Sequence, residues 1–381
     1  MTYWFIMGTA AELIKMLPLV VDAQERKVTW FLWATGQGSN NFWKQYDDFA
    51  LPRQNAFCLD PRAKDLESSG EAAAWLARNF FRSSHRLAKE IDAKVGRHPQ
   101  DPDICFVHGD TFSTLLGAIY ARRLGCRVAH VEAGMRSGSI WSPFPEEFNR
   151  RRVSGLAQLH FAPDDRAVSF LKKEKRKGKI IPTGGNSVFD ALFAILSRPR
   201  PVDLPNGTYV VANLHRFENL QSRERWNTIV ETSIKAAKIA PVYFVMHPPT
   251  EHLVSQSPGL KERLQKANVI LWGRQSYSRF VHLLAGANFV LTDGGSNQTE
   301  CAYLGMPCLI MRDRTELPEG LGKNCVLSRL DEKVIDDFLS SLDRYRYPRE
   351  LLETSPTKII SKALQEIEVL PPIGPASELA I

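Results

Sequence analysis

Among the 381 residues of this chain, the side chains best placed for chemistry are acids and histidines that directly follow short apolar runs. Neighbouring carboxylates hold each other's proton affinities apart, so a few of them around one point can divide acid and base work. Asp110 follows such a run, in Val107-His-Gly-Asp-Thr111. Helix N-capping is the plainer role for an aspartate at that place. Glu132 ends a strand-like run in His130-Val-Glu-Ala-Gly-Met-Arg-Ser-Gly138, and Glu146 opens a helical one in Ser142-Pro-Phe-Pro-Glu-Glu-Phe-Asn-Arg150. Arg136 and Arg150 accompany them, either as ligands of an anionic substrate or as neutralising neighbours, and Glu146 alone would also suit a helix dipole.

Two further segments offer backbone amides to an anion. Gly8-Thr-Ala-Ala-Glu-Leu-Ile-Lys15 runs from a strand into a helix, whose first N–H groups can receive a phosphate. Leu291-Thr-Asp-Gly-Gly-Ser-Asn-Gln-Thr-Glu300 does the same through a Gly-Gly turn. There the amides of Gly294, Gly295 and Ser296 can cradle a diphosphate, and Glu300, one turn on, can hold ribose hydroxyls. Asn213-Leu-His-Arg-Phe-Glu-Asn219 brings His215 to the end of another strand.

The elements that position these groups alternate between short β-rich runs and helical patterns, the signature of parallel sheets with crossover helices. Strands are expected at Tyr3–Met7, Trp30–Ala34, Ile104–His108, Val128–Val131, His160–Ala162 and Ile180–Pro182, with helices at Ala10–Ala23, Glu71–Val95, Thr111–Leu124 and Pro145–Gln158. The proline-marked stretch 198–207 precedes a second series, Tyr209–Ala212, Val242–Met246, Val269–Leu271, Phe289–Leu291 and Cys308–Ile310. The length calls for two domains, here 1–187 and 188–357, with a helix over Lys358–Val369 and a loose tail. Ligands of open parallel sheets bind beyond the carboxyl ends of the strands, where the residues above fall.

With 44% apolar and 24% charged residues, the composition is that of a globular protein, not a disordered one. Glu12 and Lys15 break the apolar opening, which therefore reads as a strand and helix and not as a signal peptide or membrane span. The six cysteines show no C-x-x-C spacing and suit reduced thiols in the cytoplasm. A net charge of +7 suits an anionic partner. The basic run Lys172 to Lys179 reads as a solvated helix end, or as a peripheral membrane contact.

The motifs GTAAELIKMLPLV, VHGDTFSTLLGA, HVEAGMRSG, SPFPEEFNR, TGGNSVFDAL, NLHRFEN and LTDGGSNQTECAYLGMPCLIMRDRTELPE stand in the order found in non-hydrolysing UDP-N-acetylglucosamine 2-epimerases, which the chain resembles over nearly its whole length. The resemblance implies an α/β GT-B architecture, two Rossmann-like domains facing across a cleft, with the C-terminal helix (358–381) packing back on the first. It implies epimerisation at C2 of a UDP-N-acetylhexosamine for surface-polysaccharide synthesis, by elimination and re-addition of UDP. It also implies no cofactor, metal or nucleic acid, and a homodimer. Asp110, Glu132, Glu146 and His215 match the family's catalytic positions, the carboxylates for proton handling and His215 for the diphosphate.

Three positions depart from the family: Ala10 and Leu317 replace arginines, and Gly294-Gly-Ser replaces Ser-Gly-Gly. Each lost charge-assisted contact costs roughly 1.5–3 kcal/mol. Lys15, Arg136, His247 and Arg312 are the candidates to compensate. The alternatives carried with this reading are a hydrolysing epimerase that releases ManNAc and UDP, a glycosyltransferase with a UDP-sugar donor, and a non-catalytic UDP-sugar binder.

Overall fold

The computed structural model describes residues 1–37, 39–60, 69–82, 84–96, 103–137, 145–315, 317–349 and 352–367. They form two compact units, Met1–Ala191 with the segment from Leu352 onward, and Leu192–Leu351. The division falls inside the helix Val188–Leu196.

The strands of the first unit are β1 (Tyr3–Met7), β2 (Trp30–Ala34), β3 (Ala56–Cys58), β4 (Ile104–His108), β5 (Arg127–Val131), β6 (Leu159–Ala162) and β7 (Lys179–Pro182). They pair in parallel in the order β3-β2-β1-β4-β5-β6-β7. β1, β4 and β5 are buried at every position, as expected of strands covered on both faces. Trp4, Trp33, Trp75 and Leu116 are among the residues that fill one of those faces. Successive strands reverse direction of travel between β1 and β4, which makes their carboxyl ends the topological switch point.

Two helices fix this unit's edges. Thr9 caps Ala10–Glu25 with a full capping box through Glu12. Pro356–Ile367 docks against the end of that helix, where Arg26 Nη1 donates to Ser361 Oγ at 2.8 Å, and the Thr357 amide donates to Asp190 Oδ2 at 2.8 Å. Residues 368–381, which the sequence reading included in this segment, lie outside the described residues. The single helix expected over Glu71–Val95 is two, Ser69–Phe80 and Ser84–Val95. Between them Arg82 turns inward, donating to Leu59 O at 3.0 Å and pairing with Glu90.

The second unit holds β8 (Val210–Asn213), β9 (Val242–Val245), β10 (Val269–Trp272), β11 (Phe289–Thr292), β12 (Cys308–Ile310) and β13 (Cys325–Leu327). Its parallel order is β10-β9-β8-β11-β12-β13, with the switch point between β8 and β11. Trp226, Phe244, Leu291 and Phe338 belong to its core. Of the six free thiols five are buried and Cys58 is half-buried. Among the described residues no helix is long and apolar enough to cross a membrane.

Candidate functional site

The loops after β1, β4 and β5 bring a charged cluster to the switch point of the first unit. Glu132 directly follows β5 with a backbone φ of 65°, left-handed and rarely adopted by a side chain that is not glycine. The turn is held because the Ala133 amide donates to Phe161 O at 2.9 Å. Its carboxylate receives Lys15 Nζ at 3.1 and 3.2 Å and the Asn186 amide, and His108 Nε2 lies 3.3 Å away. Burial would raise the proton affinity of Glu132, but Lys15, His108 and Arg150 outweigh it and bring the pKa to about 2. Glu132 is therefore a fixed negative charge. His108 is the reverse case, lowered to about 4 mainly by burial and hence neutral near pH 7.

Asp110 sits one residue beyond the β4 turn, with a quarter of its side chain exposed and Arg150 Nη2 at 2.5 Å. The Asn149 side chain donates to its backbone carbonyl at 2.9 Å, tying the loop to the helix Glu146–Leu156. The neighbouring Gly109 carbonyl accepts from His130 Nε2 at 2.8 Å. Because a carbonyl only accepts, His130 carries its proton on Nε2. Glu146 is the first residue of its helix, and its Oε2 is buried without a hydrogen-bond partner among the described residues. Residues 138–144, including part of the motif that led to Glu146, lie outside the described residues.

Three expected ligands have partners within the protein. Arg136 is buried, with Nε and Nη2 each donating to Glu174 at 2.8 Å and Nη1 donating to Met135 O at 2.7 Å. That fork is satisfied within the protein, so Arg136 is a strut and not a substrate cation. The Gly8 amide donates to Glu12 Oε2 at 2.9 Å, which removes it as a phosphate donor. Glycine is required there for room, since a Cβ would stand 2.0 Å from Ser113 Oγ and 2.3 Å from Thr35 Oγ1. Lys15, read as a substrate contact, is paired with Glu132.

In the second unit the loop after β8 is organised by Asp293, fully buried at the end of β11. Its carboxylate accepts the amides of His215 and Arg216 at 3.0 Å and the Asn219 side chain at 2.9 Å. His215 donates from Nδ1 to Asn213 Oδ1 at 2.9 Å and stacks on His247, ring centroids 4.1 Å apart. Burial lowers the pKa of both rings, that of His247 to about 3. The Nε2 lone pair of neutral His215 is then free of the Asn213 bond, and an incoming anion would favour its protonation.

The helix Gly295–Leu304 starts beside His215, and no side chain caps it. The Gly294 amide donates to Thr292 Oγ1 at 3.0 Å, leaving Gly295 and Ser296 at the head of the helix. Glu300 is buried and accepts from Asn297 Nδ2 at 2.9 Å. Leu317 packs over Gly295, where a Cβ would meet its Cδ1 at 2.8 Å. Gln298 holds that loop, donating to Leu317 O at 2.9 Å and Glu319 O at 3.0 Å while accepting from Thr315 Oγ1 at 2.8 Å. Arg312 is buried, with Nε 4.0 Å from Glu218.

Sequence reasoning missed His108, Glu147, Asn186, Asp293 and Gln298. All five lie inside or beside quoted motifs, and what hid them is that their partners are 15 to 80 residues away in most cases, beyond the reach of local spacing.

The family model of UDP-N-acetylglucosamine 2-epimerases matches residues 24–354. A UDP-N-acetylglucosamine 2-epimerase of Bacillus subtilis is 30% identical over 355 residues, 90% of this chain and 88% of that one. A UDP-2,3-diacetamido-2,3-dideoxy-D-glucuronate 2-epimerase of Pseudomonas aeruginosa is 32% identical over 68% of this chain and 72% of that one. The crystal structure of the Neisseria meningitidis UDP-GlcNAc 2-epimerase bound to UDP-GlcNAc covers 96% of this chain and 100% of its own, at 27% identity and a TM-score of 0.76. That likeness shows the expected α/β class with two Rossmann-like units. Fold and family agree: this chain belongs to the UDP-N-acetylglucosamine 2-epimerases, a family of isomerases.

Proposed function

We propose that the chain interconverts UDP-GlcNAc and UDP-ManNAc by elimination and re-addition of UDP. Asp110 takes the C2 proton, the C2–H electron pair forms the C1–C2 double bond, and the C1–O bond breaks with its pair leaving on UDP. Return of UDP to C1 and of a proton to the other face of C2 completes the cycle. The observation that carries this reading is the contrast between Asp110 and Glu132. Glu132 is held as an anion by Lys15 and Asn186, whereas Asp110 is partly exposed and, among the described residues, pairs with Arg150. A base must reach its proton, and the Asp110 carboxylate is more exposed than that of Glu132.

Glu146 shares the proton handling, and Arg150 supplies positive charge beside Asp110. In the second unit His215, His247, Gly295, Ser296, Glu300 and Arg312 serve the UDP moiety, His215 meeting the leaving diphosphate in its protonated form. Support for a UDP-N-acetylhexosamine comes from the Bacillus and Neisseria relatives, both named for UDP-N-acetylglucosamine. Ala10 and Leu317, apolar where the family has cations, together with the Pseudomonas relative, favour a second reading in which the sugar is a modified 2-acetamido sugar. The family resemblance alone supports the remaining parts of the proposal: a cytoplasmic homodimer that feeds surface-polysaccharide synthesis.

Product analysis tests it. Purified protein is incubated with UDP-GlcNAc without an acceptor, and the mixture is followed by proton and phosphorus NMR. Appearance of UDP-ManNAc supports the proposal. Stoichiometric UDP with free ManNAc would mark a hydrolase, and an unchanged nucleotide sugar would mark a transferase, a binder or an enzyme for another sugar.

A further inference from the structure

Arg150 stands between two carboxylates at unequal distances, Asp110 Oδ2 at 2.5 Å from Nη2 and Glu147 Oε2 at 3.5 Å from Nη1. Glu147 is fully buried and is fixed from other sides, accepting the Ser137 amide at 3.0 Å and Arg151 Nε at 3.0 Å. Its place therefore does not depend on Arg150. Beyond it, Arg151 and Arg136 both reach Glu174, so the acceptor end of the arrangement is braced by a further ion-pair network. Asp110, by contrast, is on a loop and partly exposed.

We propose that Glu147 is a positioning residue that offers Arg150 a second seat: when substrate enters, Arg150 shifts from Asp110 to Glu147, and the Asp110 carboxylate is released to accept the C2 proton. This rests on Asp110 being the proton acceptor. A carboxylate held by a guanidinium is a poor base, and a rotation of Arg150 that closes the 3.5 Å gap exchanges one charge-assisted bond for another of the same kind. The cost of freeing Asp110 is thereby kept small. Glu132 also attracts Arg150, but among the described residues it forms no ion pair with it, so without Glu147 the buried guanidinium would leave Asp110 with no second carboxylate at bonding range.

Glu147→Gln keeps the shape and an oxygen for the Ser137 amide but removes the charge. It is expected to lower kcat for C2 exchange on the order of tenfold with little change in KM, and to have no further effect in an Arg150→Met background, since coupled residues lose their effect when the partner is gone. Equal losses in both backgrounds would mean that Glu147 acts on the fold and not through Arg150, and would overturn the proposal. Crystals of Asp110→Asn give a readout that needs no activity. Arg150 is expected there within hydrogen-bonding distance of Glu147, and an Arg150 that keeps its original distance would equally overturn it. Failure of the underlying reading looks different: the wild-type enzyme itself would show no C2 exchange.

Discussion

On the proposed reading, the role of each carboxylate at the switch point of the first unit follows from how it is partnered. Glu132, ion-paired with Lys15, is held near a pKa of about 2 despite its burial, and on the proposed reading it contributes field rather than proton transfer. Asp110→Asn is expected to reduce C2 exchange by about 100- to 10,000-fold, the usual range for loss of a general base, while UDP affinity measured by calorimetry stays within a factor of two or so. Unchanged exchange would remove Asp110 from the mechanism. Residue type and strand-end location were legible in the sequence, as Asp110, Glu132 and His215 illustrate. Partnering was not. Whether Arg136 is a ligand or a neutralising neighbour stayed open in the sequence, because nothing local announces Glu174, 38 residues on, as the carboxylate that takes its fork.

Loops gain their shape from a few buried polar side chains. Glu12 joins the turn after β1 to the helix after β4, accepting from the Gly8 and Thr9 amides and from the hydroxyls of Thr111 and Thr114. Gly8→Ala would force a methyl group into the Thr35–Ser113 hydrogen bond beside that junction. A loss of about 1–3 kcal/mol in urea unfolding is expected, as for other overpacked sites; wild-type stability would show that the turn relaxes freely. Gln298→Leu removes three hydrogen bonds that tie Thr315, Leu317 and Glu319 to the helix Gly295–Leu304. It is expected to destabilise by about 1–3 kcal/mol and to raise the KM for nucleotide sugar, with kcat less affected; an unchanged KM would separate that loop from nucleotide binding. Long apolar strands such as β1 and β4 were plain in the sequence because continuous burial demands continuous apolar residues. The three-residue strands β3 and β13 were not, and the break in Glu71–Val95 escaped notice because helical periodicity continues through it.

Each unit is a complete parallel sheet with a charged loop cluster at its own switch point, an arrangement already legible in the alternation of strand and helix patterns. The folded chain keeps several histidines neutral by burying them: His108 titrates at about 4, and His130 and His247 at about 3, against an ordinary value of 6.5. Their folded values lie below the unfolded one, so the unfolded chain takes up protons that the folded chain refuses, from pH 6.5 down to about 4 for His108 and to about 3 for His130 and His247. Stability from this source is complete above pH 6.5 and is lost as the pH falls through that window, by about 1.4 kcal/mol per pH unit for each histidine. Glu132 adds a second loss between about 4.5 and 2. Urea midpoints should therefore fall steadily from pH 7 to pH 5, and less steeply in His130→Gln; a flat profile would contradict the burial argument. The central claim, that this protein moves the proton on C2 of a UDP-N-acetylhexosamine, is tested most directly by running the reaction with UDP-GlcNAc in D2O and measuring deuterium at C2. The account predicts deuterium at C2 of the UDP-ManNAc formed and, with time, of the recovered UDP-GlcNAc, and conversion without deuterium at that carbon would contradict it.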